Sequence, residues 1–231
     1  LYTLLNEPVL QHHFRLGNVI TTVDAVNAEL HLSKNPEGIK QVAAADQLLV
    51  TKTDLANAGQ VAAVLEVLAQ VNPSAHVRDA IVEPLDIEGL LDVRPPDRGL
   101  VAAKFVCVDP ADIDALRGLR RHSQHVASFS LVLDEPLDWT AFGVWLSLLL
   151  NRHGDDVLRV KGILQVQGSD APVFMNAVQH VVHPPQHLDR WPTEDHRSRI
   201  VFITRALDHA RLRRSLEAFC RVRVAELSVS I

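Results

Sequence analysis

Cysteine is scarce. The 231 residues hold two, Cys107 and Cys220, without C-x-x-C spacing or the density of a disulfide scaffold, which excludes a stapled secreted module and fits a reducing, cytoplasmic compartment. Long hydrophobic runs are missing as well. The longest apolar stretch, 142–150, includes Gly143 and Ser147 and falls far short of the ~20 residues that span a bilayer, so no membrane is expected. Neither sign of charge dominates: 23 Lys and Arg stand against 28 Asp and Glu, net −5 with a pI near 6.2, which gives no basic field for nucleic acid. The five lysines, Lys34, Lys40, Lys52, Lys104 and Lys161, never follow a glycine. The phosphate-wrapping loop G-x-x-x-x-G-K-[ST] is therefore absent from this sequence. No G-x-S-x-G occurs either, which removes the nucleophile elbow. The chain opens Leu1-Tyr2-Thr3-Leu4-Leu5, with neither Met nor a basic n-region, and is expected to be a truncated sequence rather than one with a signal peptide.

What is present is alternation. Residues 1–16 carry helix-spaced apolar positions interrupted at Pro8. A β-branched strand is predicted over 18–23, followed by a polar segment, a helix over 39–45 and an apolar strand over 47–50. A helix with clean 3.6-residue spacing is predicted over 60–71, closed by Asn72-Pro73, then a strand over 76–82 and a short helix over 87–91. Strands alternating with helices predict βαβ units and a parallel sheet. The turn-rich Arg94-Pro95-Pro96-Asp97-Arg98-Gly99 reads as a boundary, giving a first domain over 1–96 and a linker over 97–125. The remaining residues, 126–231, read as strand 127–133, helix 140–150, strands 163–167, 173–182 and 200–204, and helix 208–221. That β-α-β-β-β-α order predicts an antiparallel α+β domain with its helices on one face.

One loop carries chemistry. Thr51-Lys52-Thr53-Asp54 follows the apolar run Leu48-Leu49-Val50. The Asp54 carboxylate can accept two parallel hydrogen bonds from the N1–H and N2–H of guanine, which adenine cannot offer. Lys52 can lay its stem along the base with its ammonium solvated, and Thr51 can orient the loop. The same four residues suit an ordinary strand-to-helix turn with Asp54 as N-cap.

The surroundings give the loop a family. The runs 19–26, 41–55 and 71–75 resemble the second half of the G domain in CobW-type GTPases, of the SIMIBI branch of P-loop proteins, and 158–164, 178–181 and 198–203 resemble their C-terminal domain. The resemblance implies an α/β fold: a partial P-loop-type parallel-sheet G domain lacking its N-terminal half, then a mostly antiparallel α+β domain. It also implies a GTP-dependent metallochaperone that binds GTP and Mg and passes Zn, Co or Fe to a client metalloprotein or cofactor-synthesis enzyme, with Thr51, Lys52 and Asp54 reading the base. Because the P-loop, the switch segments and the Cys-x-Cys-Cys motif are not in this sequence, the chain alone is expected to be inactive and to have no catalytic residues. The alternative is a non-catalytic protein–protein interaction module, with self-association through an exposed sheet edge.

Twelve histidines invite a metal reading. His180, His183, His187 and His196 are expected to be surface residues, because Pro184-Pro185 breaks any continuous helix between them. His122-x-x-His125, in the expected linker, supplies two ligands, enough only for an exchangeable site. Cys220 sits at helical spacing with Leu212, Leu216 and Phe219 and reads as a buried structural thiol, and Cys107 as a strand interior. Trp139, Trp145 and Trp191 are expected to anchor the second core, with an exposed docking edge as the other reading of Trp191. The arginines of 211–223 read as a solvated helix face.

Overall fold

Gln47, Leu48, Leu49 and Val50 form a continuous buried strand, as expected for a strand covered on both faces, and the first domain is assembled around it. The computed structural model describes residues 17–82, 86–91, 126–222 and 224, together with 9, 13 and 14. In order come β1 (Ile20–Asp24), α1 (Ala28–Lys34), α2 (Pro36–Ala44), β2 (Gln47–Thr51), α3 (Ala58–Val71), β3 (His76–Asp79) and α4 (Ile87–Leu91). The strands make a parallel sheet in the order β1-β2-β3. Val23, Leu32, Ile39, Val42, Leu48, Val50, Val64 and Leu68 pack between the sheet and its helices.

Two expectations change here. The segment after β1 is helix α1, not a polar connection; its apolar stripe is only Ala28 and Leu32, too thin to stand out from Glu29, His31 and Lys34 without the neighbouring α2 to cover it. β3 ends at Asp79 rather than at 82, because the Asp79 carboxylate accepts from the N–H groups of Ile81 (2.9 Å) and Val82 (3.2 Å) and turns the chain.

The C-terminal portion contains β4 (Val126–Leu133), α5 (Trp139–His153), β5 (Val157–Leu164), β6 (Val173–Val178), β7 (Val181–Val182), β8 (Gln186–His187), β9 (Ser198–Arg205) and α6 (His209–Cys220). Its sheet is antiparallel, ordered β4-β9-β5-β6-β7 with β8 on β6. The predicted order is present with two short strands added, since the strand expected over 173–182 breaks at Gln179, which turns with φ +52°. β5 begins at Val157, well before residue 163, because Arg159 and Lys161 interrupt its apolar pattern. Asp208 caps α6 through the N–H groups of Ala210 and Arg211, and Asp138 caps α5 through that of Ala141.

The two faces of this sheet do different work. Phe129, Leu131, Leu133, Val160, Leu164, Met175, Ile200 and Phe202 point toward α5 and α6 and form the main core with Trp145, Leu212, Leu216 and Cys220. Trp145 also donates its indole N–H to the Ser215 hydroxyl at 3.0 Å, tying α5 to α6. Phe219, expected on that buried stripe, is exposed, as is Trp139. Trp191 belongs to the opposite face, beside Ile163, Phe174 and Leu188, stacked on His196 with ring centroids 5.0 Å apart. On that face Arg159 and Lys161 meet the first domain, where Ala43, Leu158 and Ile203 close a small apolar contact with Val71 and Val126. The linker expected over 97–125, and with it Cys107, His122 and His125, lies outside the described residues.

Candidate guanine-reading loop

Parallel strands put all their C-terminal ends on one edge, the edge where open α/β sheets place ligands. On that edge stand Asp24 from β1, the loop 51–54 from β2 and Asp79 from β3. The loop is held from both sides. Lys52 adopts a left-handed backbone, φ +59°, a conformation that costs a non-glycine residue free energy, and its ammonium pairs with Asp24 Oδ2 at 2.7 Å. Thr53 donates its hydroxyl to Asp79 Oδ1 at 2.8 Å, and Ala25 N–H donates to the Thr51 carbonyl at 2.9 Å.

Asp24 is the residue that organises this edge. Its carboxylate takes Lys52, the Asn27 side-chain amide (3.0 Å) and the N–H groups of Val26 (2.9 Å) and Asn27 (3.3 Å). Lys52 first, then Asn27, hold its carboxyl well below the usual carboxylate range. Asp79 is likewise held low, by the Ile81 N–H and the Thr53 hydroxyl.

Each sequence-derived residue finds a place. Asp54 is exposed in the turn after Lys52, and no described residue donates to its carboxylate. It is not an N-cap: Asn57 caps α3, accepting from Gln60 N–H at 2.9 Å, while the Gln60 side chain accepts from Asn57 N–H at 3.0 Å. The Lys52 ammonium is tethered rather than free, and the Thr51 hydroxyl reaches the Val23 carbonyl at 3.4 Å. The loop is therefore oriented mainly by Thr53 and Lys52. Asp24, Thr53 and Asp79 were missed by sequence reasoning; the usable signal was an acid closing each of the neighbouring strands. An exposed carboxylate with free lone pairs, beside a lysine stem pinned in one direction, can accept a two-donor fork.

The metal candidates divide differently. Among the described residues, no three His, Cys, Asp or Glu side chains converge to hold a metal ion. His180, His187 and His196 are exposed, as expected. His183 is not: its N–H donates to the Asn176 carbonyl at 2.9 Å, and its Nε2 is buried. No helix among the described residues is long and apolar enough to cross a membrane.

Both portions of the chain resemble known proteins. Residues 1–79 match the family described as CobW/HypB/UreG, nucleotide-binding domain, and residues 126–220 match the cobalamin synthesis protein cobW C-terminal domain. Zinc chaperone YjiA of Escherichia coli (strain K12) is 28% identical over 202 residues, 87% of this chain and 60% of that protein. The crystal structure of Zn(II)-bound YjiA GTPase from E. coli superposes with a TM-score of 0.67 at 26% identity, covering 94% of this chain and 65% of that one. A Zn(II)-bound triple mutant of the same GTPase gives 0.66 at 25% identity with the same coverage. The chain thus spans about 60–65% of the length of these relatives.

Proposed function

Since the chain belongs to the CobW-type GTPase metallochaperone family, matched in both its nucleotide-binding and its C-terminal domain, we propose that it supplies the guanine-reading half of a GTP-dependent metal-delivery protein. Asp54 selects the base and Lys52, directed by Asp24, flanks it. The observation that carries this reading is the exposed Asp54 carboxylate, free of partners among the described residues, on the ligand-binding edge of the parallel sheet.

GTP, when bound by a protein that carries a P-loop, supplies the phosphates that Mg²⁺ and that loop position for hydrolysis. These 231 residues contain no P-loop motif, so their contribution is base recognition, and hydrolysis by this chain alone is proposed to be negligible. Zinc is the cargo supported by the YjiA likeness; cobalt and iron are further proposals, as are Mg²⁺ and a client metalloprotein or cofactor-synthesis enzyme as the receiving partner.

Titrating the chain with GTP and with ATP, followed by backbone chemical shifts of residues 51–54, is expected to move that loop with GTP only. Asp54→Ala should weaken the interaction by ~1–3 kcal/mol, the cost of leaving a donor pair unmet. Asp54→Asn should shift preference toward xanthine, because an amide presents one donor and one acceptor to N1–H and C2=O. Equal response to both nucleotides, or indifference to Asp54→Ala, overturns the assignment.

A further inference from the structure

The contact between the two domains contains a charge cluster that nucleotide recognition does not use. Asp46, just before β2, faces Arg159 and Lys161 from β5. Arg159 Nη2 pairs with Asp46 Oδ1 and donates to Asn176 Oδ1 (3.3 Å), and its Nη1 donates to the Ala44 carbonyl. Lys161 Nζ lies 3.1 Å from Asp46 Oδ1 and 3.3 Å from the Ser74 carbonyl. The second Asp46 oxygen accepts the Val19 N–H at 3.0 Å. Arg159 is 1% exposed, Lys161 3% and Asp46 8%.

One carboxylate therefore serves two buried cations. Two half-buried imidazoles add to the imbalance: His76 on β3, which also faces Arg78, and His183 beyond β7 both feel Lys161 and Asp46, and His183 feels Arg159 too. Buried His183 Nε2 and Arg159 Nε have no hydrogen-bond partner among the described residues. A proton added to either imidazole finds like charge nearby and reduced access to solvent, and a buried charge left without a counter-charge is expensive.

We propose that Asp46, Arg159 and Lys161, with His76 and His183 facing them, form an acid-sensitive latch that holds the two domains together when surplus positive charge is shed and loosens as protons return. Several neighbouring groups bias it in one direction. Burial, and then Arg159, push the Lys161 ammonium down to about 7. Burial lowers both imidazoles, with Lys161 adding to the effect while Asp46 opposes it. At Asp46, burial raises the carboxyl, and Arg159 and Lys161 outweigh it to leave it lowered. A group with a depressed folded-state value binds fewer protons folded than unfolded, so stability increases with pH. For Lys161 the gain runs from about 7 toward its ordinary value of 10.5. The histidine contribution is lost as pH falls below their ordinary 6.5. Across pH 6 to 9 Lys161 dominates.

The test compares the full chain with Lys161→Met and Lys161→Arg. Amide hydrogen exchange over residues 46–51 and 157–164, corrected for intrinsic rates, and the thermal midpoint are followed from pH 6 to 9. In the parent, exchange should slow at least about tenfold across that range, one pKa unit's worth of coupling, and the midpoint should rise. Lys161→Met leaves a balanced Arg159–Asp46 pair and should be protected at every pH; Lys161→Arg, charged throughout, should stay unprotected at every pH. His183→Gln should keep the response above pH 7 and lose only the His183 share of the part below 6.5, leaving that of His76. A flat parent, a parent-like slope in Lys161→Met, or Met and Arg variants that behave alike would each overturn the latch. None of these readouts involves a nucleotide, so they stand or fall independently of the base-reading assignment.

Discussion

Strand β2 carries charge at both ends, and the two ends obey different physics. At its C-terminal end the Lys52–Asp24 pair sits in water, with the lysine side chain 53% exposed; at its N-terminal end Asp46 is enclosed with Arg159 and Lys161. The exposed pair is screened and adds little to stability, so its value lies in direction: it aims a lysine stem beside Asp54. The buried cluster gains more per contact because the medium is less polarisable. It also suffers more from imbalance, since none of its members can be abandoned to solvent. One strand thus joins an exposed, solvated end to a joint that cannot tolerate a lost partner.

The harshest way to break that contrast is Asp46→Ala, which strands two buried cations and should cost about 3–5 kcal/mol in denaturant unfolding. Next comes Asn72, also near the enclosed end. Its side-chain amide serves the carbonyls of Val42 (2.8 Å), Ala43 (3.2 Å) and Ala45 (2.9 Å) while its oxygen accepts from Ser74, satisfying the C-terminus of α2. Asn72→Ala is expected to lower unfolding free energy by about 2–3 kcal/mol, because buried carbonyls lose their donor. At the exposed end the losses shrink. Asn57→Ala should remove the α3 capping box for about 1 kcal/mol by thermal unfolding, and Lys52→Ala should stay under ~1 kcal/mol while still reducing the guanine-over-adenine preference. Titration sharpens the comparison further. Asp24, held low by Lys52 and Asn27, contributes stability above its ordinary 3.8 that is lost only as pH falls through its lower folded value. Between pH 6 and 9 the exposed end is therefore expected to be silent, and any change in exchange should map to residues 46–51 nearest Asp46 and to β5.

Much of the scaffold was legible. The helical spacing of Val61, Val64, Leu65 and Leu68 predicted α3 within two residues of its observed start, and the alternation of strands with helices around it announced a parallel sheet. The Thr51–Asp54 loop was legible as well, because it lies where one strand ends. Its supports were not. Asp24 and Asp79 are 28 and 26 residues from the side chains they hold, and no local pattern links an acid to a partner across a crossover. Helix α1 was lost to its two-residue stripe, and His183 was misplaced because two prolines beside it look like an exposed loop. The alternating charges Arg159 and Lys161 were in plain view in an apolar strand; alternation says that they share a face but not what covers it.

By itself, the sequence determined most of the longer strands and helices, that a parallel sheet is followed by an antiparallel one, and that a Thr-Lys-Thr-Asp loop ends β2, because each depends on local periodicity or on neighbours within a few residues. Only the tertiary structure decided that Lys52 is tethered, that Asp54 is exposed with no donor among the described residues, and that Asp46 closes against Arg159 and Lys161. Those outcomes rest on contacts between residues far apart in the chain, whose cost and value are set by how much water folding removes around them.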